Sequence, residues 1–567
     1  MRLTASYRYV EVMATTNGRD VLLEVLRTEG VTHCFGNPGT TELPFVDALA
    51  DHPELHYVLA LQENVAVGMA DGYAQATGRP SFVNLHTVAG LGGGLGNLSN
   101  ALANRTPMVV TAGQQDRRHL LAEPILSGDL CGLAAATTKW QHEVRHLGEL
   151  APVLRRAFLS AATSPGGPAF VSIPMDVLDE QGDVDVPPPS RLERAAVAGA
   201  LEELAALLAE AAPAGLAIVV GDEVAASGPS AVAEIVALAE TLGARVHGAP
   251  LYSNLNFPTD HPLWSGMLGF TAASVAGTLS RYRRIFVVGA KAFLVYPWTP
   301  PSPLPAGAEL LHLAADASLV GRDLPTRFGA IGDIGASLAA LRPLVAAKVD
   351  QSAASAALDR ARSEAEGAGQ RFAAMAAERA ADSPMHPMAA TSALLAALPR
   401  DGALVDEAIT TGFHIRMLYR TSPPGSYYFC RGGGLGWGVP AALGVKLARP
   451  DQPVLCIVGD GSIMYSIQAL WTAAHANIPV VIAVVNNRQY GILKVNLVES
   501  GSAAAREGRF VGMDLDAPPV DYVGLARSLG VDSLLVEKPA DVTDATHAAF
   551  ESGRPTLLEL PISSPQG

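Results

Sequence analysis

The chain is poor in cysteine, in positive charge and in long apolar runs, and each shortage excludes something. Four cysteines in 567 residues, Cys34, Cys131, Cys430 and Cys456, form no C-x-x-C pair. That excludes a disulfide-built scaffold, and four reduced, mostly buried thiols are expected. Lys and Arg number 40 against 55 Asp and Glu, a net charge of −15. A nucleic acid or an anionic membrane needs basic patches, so neither is expected as a partner. An anionic cofactor stays open, because backbone amides and a bound cation can outweigh distant surface charge. No apolar run approaches the roughly 18 residues of a membrane span. The opening MRLTASYRYVEVMATT has no apolar core of a signal peptide. A cytoplasmic protein is expected, with an N-terminal extension over residues 1–16 in which Met13 offers a second start.

What is present is apolar residues (49%), 55 Gly and 40 Pro, with only 17% charged. This composition fits a compact α/β enzyme with many tight turns. The length predicts three or four domains of about 150 residues each.

Three α/β blocks follow one another. The first, residues 17–185, alternates short apolar strands (VTHCFG, HYVLAL, PSFVNLH, PMVVTAG, PAFVSIP) with helical stretches such as NVAVGMADGYAQATG. Uninterrupted apolar strands separated by helices predict a doubly wound parallel sheet, buried on both faces. After the Pro-rich hinge VDVPPPSRLER, the second block, 196–345, repeats the pattern in LAIVVGD, RIFVVGAKAF and ELLHLAAD. Residues 346–383 are rich in Ala, Glu and Arg with little apolar periodicity, and read as a solvated helix or linker. The third block, 384–567, carries ALVDEA, SYYFCRGGG, VLCIVGDG, VVIAVVNN and TLLELPI. Ligands of open parallel sheets sit at the carboxyl ends of strands, so the polar residues ending these runs are candidates.

The most informative segment is VLCIVGDGSIMYSIQALWTAAHANIPVVIAVVNNRQYG. One strand is expected to end at Asp460 and the next at Asn486-Asn487. A helix carrying SIQALWTAA should follow Gly461-Ser462, with free amides aimed at an anion. Adjacent parallel strands place Asp460 and Asn487 at one sheet edge. A carboxylate, an amide oxygen and a nearby carbonyl make a hard, oxygen-only cation site that suits Mg²⁺ or Ca²⁺ alongside phosphate. A rival reading takes Gly436, Gly438 and Ala441 of GWGVPA as a loose dinucleotide fingerprint, with Asp460 as its acidic partner. It leaves the paired Asn unexplained.

Gly-Asp-Gly followed by Asn-Asn at this spacing resembles the thiamine diphosphate-binding motif. FGNPGTTELPF, LALQENVAVGMADGYAQATGRP, NLHTVAGLGGGLGNLSNA, PGSYYFC and YSI-x-ALWTAA are similar to the benzoylformate decarboxylase branch of the thiamine diphosphate enzymes. The resemblance implies pyrimidine-binding, middle and diphosphate-binding domains. It implies thiamine diphosphate and Mg²⁺ as cofactors, a small 2-keto acid as substrate, and a homodimer or homotetramer with active sites between chains. Asp460, Asn487 and the carbonyl of Gln489 would be metal ligands, and Gly461, Ser462 and Thr410 would lie at the diphosphate. Ile409 replaces a second hydroxyl there. Leu435 would prop the cofactor in a bent shape, and the Gly433 carbonyl would accept its pyrimidine amino group. Glu63 would place a carboxyl against the pyrimidine ring and so activate the cofactor. His86 would move protons, and Thr40 would contact the substrate carboxylate.

The resemblance fails around the substrate. Tyr296 stands where the branch has a second catalytic histidine, and its hydroxyl, with a reference pKa of about 10, is a poor proton shuttle at neutral pH. Ile492 replaces a small pocket residue and Asn496 an aromatic one. The expected activity is non-oxidative decarboxylation of a 2-keto acid to an aldehyde and CO₂, with carboligation as a side reaction. An acetohydroxyacid synthase-like carboligase is the nearest alternative, a NAD-dependent oxidoreductase a distant one, and a silent binding protein of the same fold a fourth.

Overall fold

The computed structural model describes residues 15–192 and 196–564. Most of the expected extension, with Met13, lies outside the described residues, as do residues 193–195 at the end of the Pro-rich hinge. The chain forms two compact units, one of Met1–Val67 with Pro80–Arg191, the other of Gly68–Arg79 with Leu192–Gly567.

The first unit is built on six parallel strands: β1 (His33–Gly36), β2 (His56–Leu59), β3 (Ser81–Leu85), β4 (Met108–Gln114), β5 (Trp140–Glu143) and β6 (Pro168–Pro174), in the order β2-β1-β3-β4-β6-β5. Every residue of β3, β4 and β6 is buried. Helices cover both faces, so these strands read as continuous apolar runs with no alternation. On one face, Leu22 and Leu26 of the helix Gly18–Thr28 and Leu154 and Phe158 of the helix Leu147–Ala162 pack on Phe82, Val109 and Val171.

The second unit holds two further six-stranded parallel sheets. Its middle sheet comprises β7 (Leu216–Val220), β8 (Arg245–Gly248), β9 (Trp264–Met267), β10 (Arg284–Val288), β11 (Glu309–Ala314) and β12 (Phe328–Ile331), ordered β9-β8-β7-β10-β11-β12. The last sheet comprises β13 (Ala403–Glu407), β14 (Tyr427–Phe429), β15 (Val454–Gly459), β16 (Val481–Asn486), β17 (Asp532–Leu535) and β18 (Thr556–Pro561), ordered β14-β13-β15-β16-β18-β17. One apolar core runs through this unit, joining Leu242, Phe286 and Leu313 to Leu404, Ile457 and Leu560. The Ala-rich stretch is a helix, Gln351–Glu378, with Ala354, Ala361 and Ala376 buried.

Four helices position the candidate residues: α1 (Glu63–Thr77), α2 (Thr87–Asn104), α3 (Gly438–Ala448) and α4 (Gly491–Glu499). Within the second unit the later part of α1 meets α3 backbone to backbone. A Cβ on Gly72 would lie 2.2 Å from the carbonyl oxygen of Ala441, and one on Gly444 would lie 1.9 Å from that of Met69. Only glycine permits so close an approach.

The first and last sheets share one strand order, which reverses between their first and third strands. That reversal is where open α/β sheets place ligands, beyond the carboxyl ends of the strands. The residues leaving those strands are Asn37–Thr41 and His86 in the first sheet, and Ala408–Thr410 and Asp460 in the last. They include the candidates Thr40, His86, Thr410 and Asp460.

Candidate active site

In the first unit the segment after β1 is tied to both Glu63 and His86. Glu63 opens α1, half-buried, and accepts a hydrogen bond from Asn37 Nδ2 at 3.0 Å. The glycines of AGLGGGLG make room for it. A Cβ on Gly93 would lie 2.8 Å from Glu63 Oε2, and one on Gly90, a turn earlier on the same face of α2, would lie 3.4 Å from Oε1. His86 precedes α2, half-buried, with its ring against Gly39, where a Cβ would come within 2.1 Å of the imidazole. Thr40 is exposed and starts the single turn Thr40–Glu42.

Sequence reasoning missed the residue that organises this group, Glu42. It is only 2% exposed. One carboxylate oxygen accepts from His86 Nδ1 at 2.9 Å and from the Gly39 amide at 3.0 Å, the other from the Thr41 hydroxyl at 2.6 Å and the Gly113 amide at 2.9 Å. A carboxylate can only accept, so Nδ1 carries the proton and Nε2 is left free to take up or release one. Glu42 stood inside the recognised motif, but its partners His86 and Gly113 are distant in sequence, and no local pattern joins them.

In the second unit β15 ends at Gly459, one residue earlier than expected. Asp460 opens a single helical turn, Asp460–Ile463, and the next helix begins only at Ala469. Bonds from the Tyr465 and Ser466 amides to the Ser462 and Ile463 carbonyls, at 3.2 and 3.0 Å, close the turn in place of propagating it. The helix expected over SIQALWTAA therefore starts later than expected, at Ala469. Gly461 has no room for a side chain, because a Cβ would lie 2.5 Å from the Tyr490 ring.

Parallel pairing sets Gly459 opposite Val485, so Asp460 faces the Asn486–Asn487 end of β16. Asp460 is 4% exposed. Its Oδ1 accepts from the Gly461 amide at 2.9 Å, and its Oδ2 is buried without a hydrogen-bond partner. Burial pushes this carboxyl up to about 6, while the amides of Gly461, Arg488 and Gln489 pull it down. An orphaned, buried carboxylate oxygen at the sheet edge it shares with Asn487 is the kind of oxygen donor a hard cation takes, and the Asn487 amide oxygen and Gln489 carbonyl follow at the end of the adjacent strand. Asn487 is half-buried and Gln489 buried, with Gln489 paired to Asp514 across an isolated bridge. Among the described residues no group of three His, Cys, Asp or Glu could hold a metal ion, so a cation here would rest on amide and carbonyl oxygens beside the one carboxylate. The oxygen donors present fit a hard divalent cation such as Mg²⁺, which Asp460, Asn487 and Gln489 would hold.

The other candidates sit around this edge or away from it. Thr410 is half-buried just past β13, and Ser462 is buried in the turn. Gly433 is exposed with φ +76°, and Leu435 is half-buried before α3. Ile492 (half-buried) and Asn496 (exposed) share a face of α4. Tyr296 is 65% exposed on the segment after β10, its amide bonded to the Phe270 carbonyl at 2.7 Å. Among the described residues no hydrogen bond or ring contact joins it to another candidate. The dinucleotide reading of Gly436, Gly438 and Ala441 fails on geometry. The amides at the start of α3 are taken by the carboxylate of Glu407, where a pyrophosphate would have to sit. All four cysteines are free, and burial pushes the Cys34 thiol up to about 12.

Three family models match the chain. They are the N-terminal TPP binding domain of thiamine pyrophosphate enzymes over residues 16–142, the central domain over 201–341 and the C-terminal TPP binding domain over 410–560. The chain belongs to the thiamine pyrophosphate enzyme family. Within that family it is 36% identical over 553 residues to benzoylformate decarboxylase of Pseudomonas aeruginosa, covering 95% of this chain and 98% of that protein. A solved structure of the Rhodococcus jostii RHA1 thiamine diphosphate-dependent 4-hydroxybenzoylformate decarboxylase superposes with a TM-score of 0.86 at 32% identity, covering 97% of this chain and all of that one. The acetolactate synthase large subunit of Parasynechococcus marenigrum is 27% identical over 586 residues, covering 97% of this chain and 88% of that protein.

Proposed function

We propose that this chain is a Mg²⁺-dependent, non-oxidative 2-keto acid decarboxylase acting on a benzoylformate-like or aliphatic substrate, with carboligation as a side activity. The observation that carries this reading is the His86–Glu42 pair, whose geometry leaves Nε2 free to take up a proton and hand it on. A decarboxylase must protonate its product-forming carbon, whereas a carboligase must keep protons away from it.

Asp460, Asn487 and the Gln489 carbonyl hold Mg²⁺, and Gly461, Ser462 and Thr410 hold the diphosphate. Leu435 and Gly433 set the shape of the bound cofactor, and Glu63 meets its pyrimidine ring. The cofactor, when bound, supplies the electron sink that lets a 2-keto acid lose CO₂. Thr40 orients the substrate carboxylate, His86 moves the proton, and Ile492, Asn496 and Tyr296 shape the pocket. This division of labour maps onto a pyrimidine-binding domain (17–185), a middle domain (196–345), a linker (346–383) and a diphosphate-binding domain (384–567). The working unit is a cytoplasmic homodimer or homotetramer with sites between chains. No helix among the described residues is long and apolar enough to cross a membrane.

A second reading, an acetohydroxyacid synthase-like carboligase, is favoured by Tyr296. Without a second histidine, protonation falls to His86 alone, and a second carbonyl competes better. The test is a screen of aromatic and aliphatic 2-keto acids with thiamine diphosphate and Mg²⁺, following CO₂ and identifying products. Aldehyde as the main product supports decarboxylation. Acetolactate from pyruvate as the main product replaces it with the carboligase, and no CO₂ from any 2-keto acid refutes both.

A further inference from the structure

Glu407 ends β13 opposite Val458 of β15 and is 3% exposed. No step above uses it, yet its carboxylate gathers three consecutive backbone amides. Oε1 accepts from Gly436 at 2.7 Å and from Trp437 at 3.0 Å, and Oε2 accepts from Gly438 at 2.9 Å. Gly438 is the first residue of α3, and Trp437 before it offers no side-chain cap. Glu407 thus caps from another element a helix that cannot cap itself.

The local sequence is fitted to this contact. A Cβ on Gly438 would lie 2.7 Å from Glu407 Cβ, so glycine lets the carboxylate close on the helix start. Gly436 has φ +87°, and a Cβ there would lie 2.7 Å from Tyr465 Cβ. Trp437, fully buried, is fixed from its other side by a 2.7 Å bond from its indole Nε1 to Asp71 Oδ2, and Asp71 is itself buried. Two buried carboxylates therefore clamp Gly436–Gly438. Upstream, Gly432, Gly433 and Gly434 are all exposed. Leu435 lies between the exposed glycines and the clamp. The cost of the arrangement is visible: burial pushes Glu407 up to about 7, against the pull of the three amides, and neighbouring Asp406 pushes the same way. Carrying such a group has no evident benefit to the core alone.

We propose that Glu407 is a positioning residue for the cofactor, holding the Gly432–Gly438 turn so that Leu435 and the Gly433 carbonyl are presented in one fixed geometry. This rests on the roles proposed above for Leu435 and Gly433. Glu407→Gln keeps the shape, but its amide nitrogen must face one of the three backbone donors.

The experiment is calorimetric titration of thiamine diphosphate with Mg²⁺ into the cofactor-stripped full chain, for wild type, Glu407→Gln, Leu435→Ala and the double variant. Expected are roughly tenfold weaker binding in Glu407→Gln and a double variant no weaker than the worse single one, because both changes act through one turn. Wild-type affinity in Glu407→Gln, or losses that simply multiply in the double variant, overturns the proposal. If Glu407→Gln does not fold, Glu407→Asp enters the same cycle, since its shorter carboxylate keeps the charge but cannot reach all three amides. A wild-type chain that binds no cofactor overturns the functional reading and this proposal with it. Wild-type binding alongside an unaffected variant overturns this proposal alone.

Discussion

Replacing Glu42 by glutamine should silence His86 without disturbing cofactor binding. The carboxylate serves four donors, two on each oxygen, and glutamine offers a single acceptor oxygen. If that oxygen faces Thr41 and Gly113, the new NH₂ faces the Gly39 amide and His86 Nδ1. Nδ1 must then become an acceptor, and the proton moves to Nε2. If the side chain is turned the other way, His86 keeps its tautomer but the buried Gly113 amide is orphaned. Gly113 is buried and Gly39 only half-buried, so the first arrangement costs less, and tautomer inversion is expected. Orphaning one backbone donor costs about 1–3 kcal/mol of stability. Loss of general acid–base catalysis by a misprotonated imidazole costs about 10²–10⁴ in rate. The assay is kcat for the best substrate of the 2-keto acid screen, measured from pH 5.5 to 8.5 at saturating cofactor, with calorimetric cofactor affinity and melting temperature in parallel. A fall of about a hundredfold in kcat, with affinity unchanged, is expected. Wild-type kcat in Glu42→Gln would refute the argument, because it would mean either that the amide keeps its oxygen on His86 or that the tautomer of His86 does not matter to turnover.

Other perturbations separate the remaining roles. Glu63→Gln should bind cofactor nearly as well as wild type but lose most turnover, and wild-type rates of proton exchange at the thiazolium carbon in this variant would show Glu63 to be only structural. Chelation of divalent metal should release the cofactor and Asp460→Ala should mimic it, checked by dialysis and calorimetry; unchanged affinity after either would refute the metal set. Ile492→Ala should raise kcat/KM for benzoylformate relative to a branched aliphatic 2-keto acid by roughly tenfold to a hundredfold, the equivalent of ~1–3 kcal/mol of relieved overpacking, and an unmoved ratio would remove Ile492 from the pocket. Glu407 holds its proton more tightly in the folded chain, up to about 7 against an ordinary 4.5. Its contribution to stability is therefore full below about pH 4.5 and lost as pH rises through about 7, so the cofactor-free wild type should show a downward slope over that window that Glu407→Gln lacks in denaturant titrations.

The sequence disclosed the parts of this molecule whose signals are local. Continuous apolar strands revealed parallel sheets, because burial on both faces removes alternation. Asp460 and Asn487 were legible because adjacent parallel strands must end side by side. The helix expected after Ser462 forms over ALWTAA but starts only at Ala469, because i→i−3 bonds first close a single turn, and composition alone does not show where such a helix begins. Glu42 and Glu407 stayed hidden for a different reason. Each is an acidic residue in a segment already noted for something else, and each acts on residues some 30 to 70 positions away. Gly39, Gly93 and Gly438 carry no local signal of what they face, and only the structure shows which side chain occupies the space that each leaves empty.

The common strand order of the first and last sheets has an evolutionary reading. The same geometric accident of parallel sheets, a reversal of strand order, has been furnished twice with different chemistry. In one copy the gap between diverging strands is furnished with a histidine on a carboxylate, in the other with an orphaned aspartate oxygen beside an amide. Each inventory draws on one neighbouring strand, the first on β4 through the Gly113 amide and the second on the end of β16. Ile492, Asn496 and Tyr296, the residues proposed to shape the pocket, lie outside both gaps. If those three residues set substrate preference, it can be redirected in the laboratory through a helix face and a surface segment while the chemistry of the two gaps is left in place.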